Sequence, residues 1–181
     1  MKIINKLMKI LNIKSKKDLM ILNLTRDLSG KRAVESMIML YNYVPDYFFT
    51  MPSSTSGKYH PPDEFRKGGL VLHTLRVIEV VKMFCDMYEI GGRERDDLIQ
   101  AAIFHDTFKC GSHGTGRTIS SHPLLPGQNL DLSTEVASLI RTHSGRFYDF
   151  VKCEWSHASE HQQILHAADY IASRRNVKVN I

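Results

Sequence analysis

The sequence predicts an all-α protein, and three observations carry that prediction. Apolar residues recur three and four apart in one segment after another, which is the spacing of a helix face. No segment alternates apolar and polar residues with the period of a strand. Hydrophobic residues make up 43% of the 181 residues and charged residues 24%, so the chain can bury the core that such faces need.

The elements follow in order. Ile3, Ile4, Leu7, Ile10 and Leu11 form one stripe with lysines opposite, read as a first core helix, a docking arm or a membrane-surface helix. Ser15 is placed to cap a helix running to about Leu28. Ser29 and Gly30 punctuate, and a helix follows from about Lys31 to Tyr43, stopped by Pro45. Residues 51–69, MPSSTSGKYHPPDEFRKGG, have no apolar period and read as a loop long enough to be functional. Helices are then expected over about Leu70–Tyr88, Arg95–Thr107, Thr134–His143 and Glu160–Arg174, with a second Gly/Ser/Pro-rich loop between Lys109 and Ser133. Residues 1–50 are expected to form a helical extension packed on a domain of residues 51–181.

Composition narrows the classes. The net charge of +5 suits a polyanionic substrate without requiring one. Cys85, Cys110 and Cys153 are widely spaced with no CxxC pair, which predicts a reducing, cytoplasmic setting rather than a disulfide scaffold. No apolar run reaches the roughly 18 residues of a membrane span. The start, MKIINKLMKILNIK, lacks the continuous apolar region and cleavage site of a signal peptide.

The informative residues are polar ones on apolar faces. His73 lies one turn before Val77 on the stripe of Val77, Val80, Val81 and Phe84. Leu98 and Ala101 lead to His105, and Ala102 leads to Asp106. Val136, Leu139 and Ile140 point toward His143, and Leu165 and Ala172 bracket Asp169. A single inward histidine is most often an ordinary core residue. Two inward carboxylates are different, because each is costly to bury unless a cation neutralises it. No inward Arg or Lys is evident from the spacing, so one or two divalent ions would satisfy the whole set. Imidazole and carboxylate without thiolate suit Zn, Mn, Fe, Ni or Co.

The order His73, His105–Asp106, Asp169 resembles the HD-domain metal-dependent phosphohydrolase superfamily. "GGLVLHTLRV", "AAIFHDTFK" and "ILHAADYIASR" are similar to its three elements, over roughly residues 58 to 175. The upstream "KYHPPDEFRKGGLVLHT" resembles the HD domain of bacterial 3′-to-5′ exoribonucleases, which carry an additional nucleic-acid-binding OB domain for which this sequence shows no strand pattern. The set with two further histidines is similar to two-metal members such as diadenosine tetraphosphate hydrolases.

The resemblance implies a compact helical bundle binding one or two metals through His73, His105, Asp106 and Asp169. His122 and His143 match the extra ligands of two-metal members, in which the HD aspartate bridges the ions; His122 also reads as an ordinary surface residue. His113, His157, His161 and His166 match no motif. The implied activity is cleavage of a phosphoester or phosphoanhydride in a nucleotide or short nucleic acid by a metal-activated water. Asp106 would orient that water. Lys109 would neutralise charge on the phosphate, or else satisfy carbonyls at a helix end. Lys58, His60, Lys67, Arg141 and Arg146 are candidate phosphate contacts. The alternative is a non-catalytic metal-binding or nucleotide-binding interaction domain. Association through the N-terminal helices is also expected.

Overall fold

The structure, a computed structural model, describes residues 15–54, 59–147 and 155–181. The stripe from Ile3 to Leu11, together with Lys58 and Cys153, lies outside those residues.

Among the described residues there are seven α-helices and no strand, an all-α architecture. Helix α1 (Lys16–Thr25) starts at Ser15, whose hydroxyl accepts the Asp18 amide while the Asp18 carboxylate accepts the Ser15 amide. This reciprocal pair satisfies two donors that a helix start leaves open. The helix stops before the expected Leu28. The Thr25 hydroxyl donates back to the Ile21 carbonyl at 3.0 Å, and the Leu28 amide folds onto Thr25. Helix α2 (Gly30–Asn42) follows, and Pro45 introduces a 3-10 turn, Asp46–Phe49, that buries Phe48 and Phe49. Ile21, Leu24, Met39 and Leu40 of these helices belong to the same buried cluster as the helices that follow.

Helix α3 (Gly69–Met87) buries Leu70, His73, Val77, Val80 and Val81 on one face. Helix α4 (Gly92–Phe104) is buried at every residue from Asp97 to Phe104, because it runs through the middle and has neighbours on all sides. Helix α6 (Thr134–Thr142) and helix α7 (Glu160–Ala172) complete the arrangement, the latter capped by Ser159 and Gln162 as α1 is by its own pair. Helix α3 packs on α7 and α4, α4 on α6, and α6 on α7, so the four site-bearing helices close a cycle. No described helix is long and apolar enough to cross a membrane.

Both expected loops contain structure. Residues 62–65 form a 3-10 turn started by Pro61 and Pro62, and it buries Glu64 completely. Gly69 makes that possible: a Cβ there would sit 1.8 Å from the Glu64 carbonyl oxygen. The second loop holds a 3-10 turn, His122–Leu124, and a short helix α5 (Leu125–Asn129). Neither has an apolar period, which is why the sequence did not reveal them.

Candidate metal centre

Five elements deliver the centre. His73 comes from the first turns of α3, His105 caps the C-terminus of α4, His122 opens its 3-10 turn and His143 caps the C-terminus of α6. Asp106 stands in the turns after α4, since that helix ends at Phe104 and not near Thr107. Asp169 projects from α7.

Three of the histidines share one local device. Each aims its Nδ1 at the carbonyl three residues earlier: His105 at Ala102 (2.8 Å), His122 at Ile119 (2.8 Å) and His143 at Ile140 (2.7 Å). A carbonyl only accepts, so Nδ1 carries the proton and Nε2 carries the lone pair. The sequence thereby fixes the tautomer through backbone alone.

The Nε2 atoms converge on the carboxylates. Asp106 Oδ1 lies 3.2 Å from His122 Nε2 and 3.9 Å from His143 Nε2. Its other oxygen lies 3.6 Å from His105 Nε2. Asp169 Oδ1 is 3.0 Å from His73 Nε2 and 3.8 Å from His105 Nε2. The two oxygens of Asp106 therefore face two different groups, one shared with His73 and His105 and one with His122 and His143.

The donor set fits a divalent cation. His105 Nε2 is buried with no hydrogen-bond partner, a cost that a cation would remove. His122 and His143 bring their Nε2 atoms within 3.2 Å of each other. With both protons on Nδ1, two lone pairs face one another, and a positive charge shared between them resolves the conflict. Burial, with His122 and His105 nearby, pushes His143 down to about 3, so this ring is neutral at ordinary pH. Burial lowers His105 as well.

Burial alone would raise Asp106, but Lys109, His105 and His122 outweigh it and hold the carboxyl well below the usual carboxylate range. Burial likewise opposes ionisation of Asp169, and His73, His105 and His143 reverse that. Here one expectation fails. Lys109 is an inward cation: its Nζ bonds Asp106 Oδ2 at 2.7 Å. The chain leaves helical geometry after Phe104, and these turns swing Lys109 back over the carboxylate. Burial would strip its proton, but Asp106 more than compensates and raises it above an ordinary lysine.

Behind His73 lies a polar layer that the sequence did not disclose. Glu64 accepts Ser53 Oγ at 2.9 Å, His60 Nδ1 at 2.8 Å and an Arg76 nitrogen at 2.5 Å. Its Oε2 also faces His73 Nδ1 at 3.6 Å. Burial would raise Glu64, but the bond from His60, the charge of His73 and the bond from Arg76 lower it. At that distance Glu64 makes no hydrogen bond to His73 Nδ1, which has no partner among the described residues, so the carboxylate acts on the ring through its charge. The available signal was an acidic residue in a Pro-Pro turn twelve positions before Arg76, too generic to act on.

A cavity of about 510 Å³ opens onto Asp106, Lys109, His122, His143 and Asp169. His60 and Arg146 also line it. Lys67 and Arg141 do not; Arg141 borders a separate depression near Pro123 and Thr134. His166, Tyr170 and Arg174 line the cavity although the sequence reading gave them no role, even within the quoted ILHAADYIASR element. His166 lies three residues before Asp169, on the same side of α7, and that spacing was the available signal. Its ring bonds the His143 carbonyl at 2.7 Å and packs so closely on residue 145 that only glycine fits there.

A family model described as "HD domain" matches residues 70–174. No curated protein and no solved structure matches the chain.

Proposed function

Since the chain belongs to the HD domain family, whose members are in general metal-dependent phosphohydrolases, we propose that it hydrolyses a phosphoester or phosphoanhydride bond of a nucleotide or short nucleic acid. The observation that carries this reading is the convergence of His105, His122 and His143, each tied by Nδ1 to its own backbone, on Asp106 between them.

His73, His105, Asp106 and Asp169 would hold one divalent ion, drawn from Mn, Fe, Ni, Co and Zn. His122 and His143 would hold a second, with Asp106 bridging. Bound there, such ions supply Lewis acidity toward a phosphate oxygen and lower the pKa of water. The protein's own groups do the rest. Asp106 accepts a hydrogen bond from the attacking water and so aims it. Lys109, protonated and lining the cavity, offsets charge that builds on the phosphoryl oxygens. Arg146 and His60 border the same cavity and face incoming phosphate. The buried free thiols Cys85 and Cys110 support a reducing, cytoplasmic setting.

The test is hydrolysis of bis-p-nitrophenyl phosphate and of a nucleotide and oligonucleotide panel with each of the five metals. Asp106→Ala is expected to lose at least about 10³-fold in turnover, more than one oxyanion-type donor contributes, while its circular dichroism stays that of wild type. Undiminished turnover in Asp106→Ala would assign the activity to another protein or site. No cleavage of any substrate with any metal would favour the non-catalytic binding domain.

A further inference from the structure

The outer half of the cavity has an electrostatic character different from its floor. Among the described residues, the carboxylates lining the cavity are Asp106 and Asp169, and both are engaged by Lys109, His73 and His122. Arg146, which is exposed, and Arg174, which is half-buried, also line the cavity on its solvent side, and among the described residues neither has a carboxylate partner.

Arg174 is held in place by other means. Its guanidinium lies 3.8 Å from the centroid of the Tyr170 ring and 5.5 Å from that of Tyr59. Its Nε donates to the Tyr170 carbonyl at 3.4 Å, at the C-terminal end of α7. An arginine at a helix end commonly does no more than cap carbonyls. Here the cap uses Nε alone, and among the described residues no bond engages the two terminal nitrogens, the pair that grips a phosphate in bidentate fashion. Lying over the Tyr170 ring face, the guanidinium spends none of its N–H donors on that contact, and the packing limits the rotamer freedom left to lose when an anion arrives.

We propose that Arg174, with Arg146, forms a second phosphate subsite at the cavity mouth, so that the chain selects substrates carrying a phosphate beyond the one that is hydrolysed. This rests on the phosphohydrolase reading above and sharpens its substrate class. The second phosphate is joined either by an anhydride, as in a nucleoside diphosphate, or by the next diester of a short oligonucleotide; both present anionic phosphate oxygens to the two arginines.

The experiment measures affinity, separately from turnover. Wild type, Arg174→Gln and Arg174→Lys are titrated calorimetrically with AMP, ADP and the dinucleotide pApA at a fixed excess of free Mn. Wild type should bind ADP or pApA about 10- to 100-fold more tightly than AMP, the worth of a charge-assisted contact. Arg174→Gln should remove that preference while its AMP affinity stays within about threefold of wild type; Arg174→Lys should restore part of it. Which of the two ligands gains identifies the linkage. No preference in wild type, or a preference that survives Arg174→Gln, overturns the proposal. Absence of metal-dependent hydrolysis in wild type would defeat the phosphohydrolase reading while leaving this affinity difference to be read independently.

Discussion

Removing the Glu64 carboxylate should unsettle both the fold and the metal centre. Glu64 is fully buried and receives three side-chain donors, from Ser53, His60 and Arg76. A severed buried ion pair typically costs about 3–5 kcal/mol, because the surviving charge loses its partner. Arg76 does not lose all of its partners, since Asp63 holds it through two further bonds at 3.1 and 2.7 Å. His60 keeps access to the cavity and can be solvated there. Glu64→Ala should therefore cost less than a full severed pair, about 3 kcal/mol with the void included. Glu64→Gln keeps the volume and can still accept from Arg76, and should cost about 1–2 kcal/mol. Urea unfolding of the metal-free proteins measures both through the shift in midpoint. The second readout is metal affinity. With no negative charge facing Nδ1, the His73 ring loses the field that makes Nε2 a better donor, and affinity should fall by about 10-fold or more in both variants. A Glu64→Ala protein within about 1 kcal/mol of wild type, with unchanged metal affinity, would refute the idea that this layer supports His73.

Metal-free protein should lose stability as pH falls. The folded state holds His143 neutral down to about pH 3, while the unfolded chain takes up that proton near 6.5. The unfolded state thus binds more protons throughout that window, and the loss should approach about 1.4 kcal/mol per pH unit for this one group. Asp106 and Asp169, both lowered, add their loss only below the ordinary carboxylate range. Chemical denaturation at stepped pH checks this, and a flat profile from pH 6.5 to 4 would contradict it. Separately, Gly69→Ala forces a methyl onto the Glu64 backbone at 1.8 Å, where no flexible side chain can yield. It should destabilise by about 3 kcal/mol or more, and its unfolding midpoint relative to wild type reads the effect.

What the sequence disclosed of this centre depended on the cost of burial. His73, His105, Asp106, His143 and Asp169 were visible because each stands on an apolar face where an isolated polar group would be unfavourable, and the helices that carry those faces were the easiest elements to find. The structure brings His73, His105, Asp106 and His143 together with His122, which only the resemblance had picked out, and sets Asp169 beside His73 and His105. Residues whose role depends on irregular chain were hidden. Glu64 sits in a Pro-Pro turn with no period, and its burial depends on a close approach at Gly69 that periodicity does not register. Lys109 was expected one helical turn beyond the HD pair; since α4 ends at Phe104, it instead turns back onto Asp106. Arg174 and Tyr170 are four apart on a helix end, a spacing ordinary enough to pass as surface. Lys67 and Arg141, candidates by charge and by flanking the entry loop and His143, do not line the cavity, whereas Arg174 does. Charge in a sequence says that a group prefers water or an opposite charge; only the path of the backbone decides which it meets. The three Nδ1 bonds to carbonyls three residues earlier make the same point from the other side. The residue types at 105, 122 and 143 announce possible ligands. It is the turn of the chain at a helix end or a 3-10 start that removes one nitrogen from use and aims the other at Asp106.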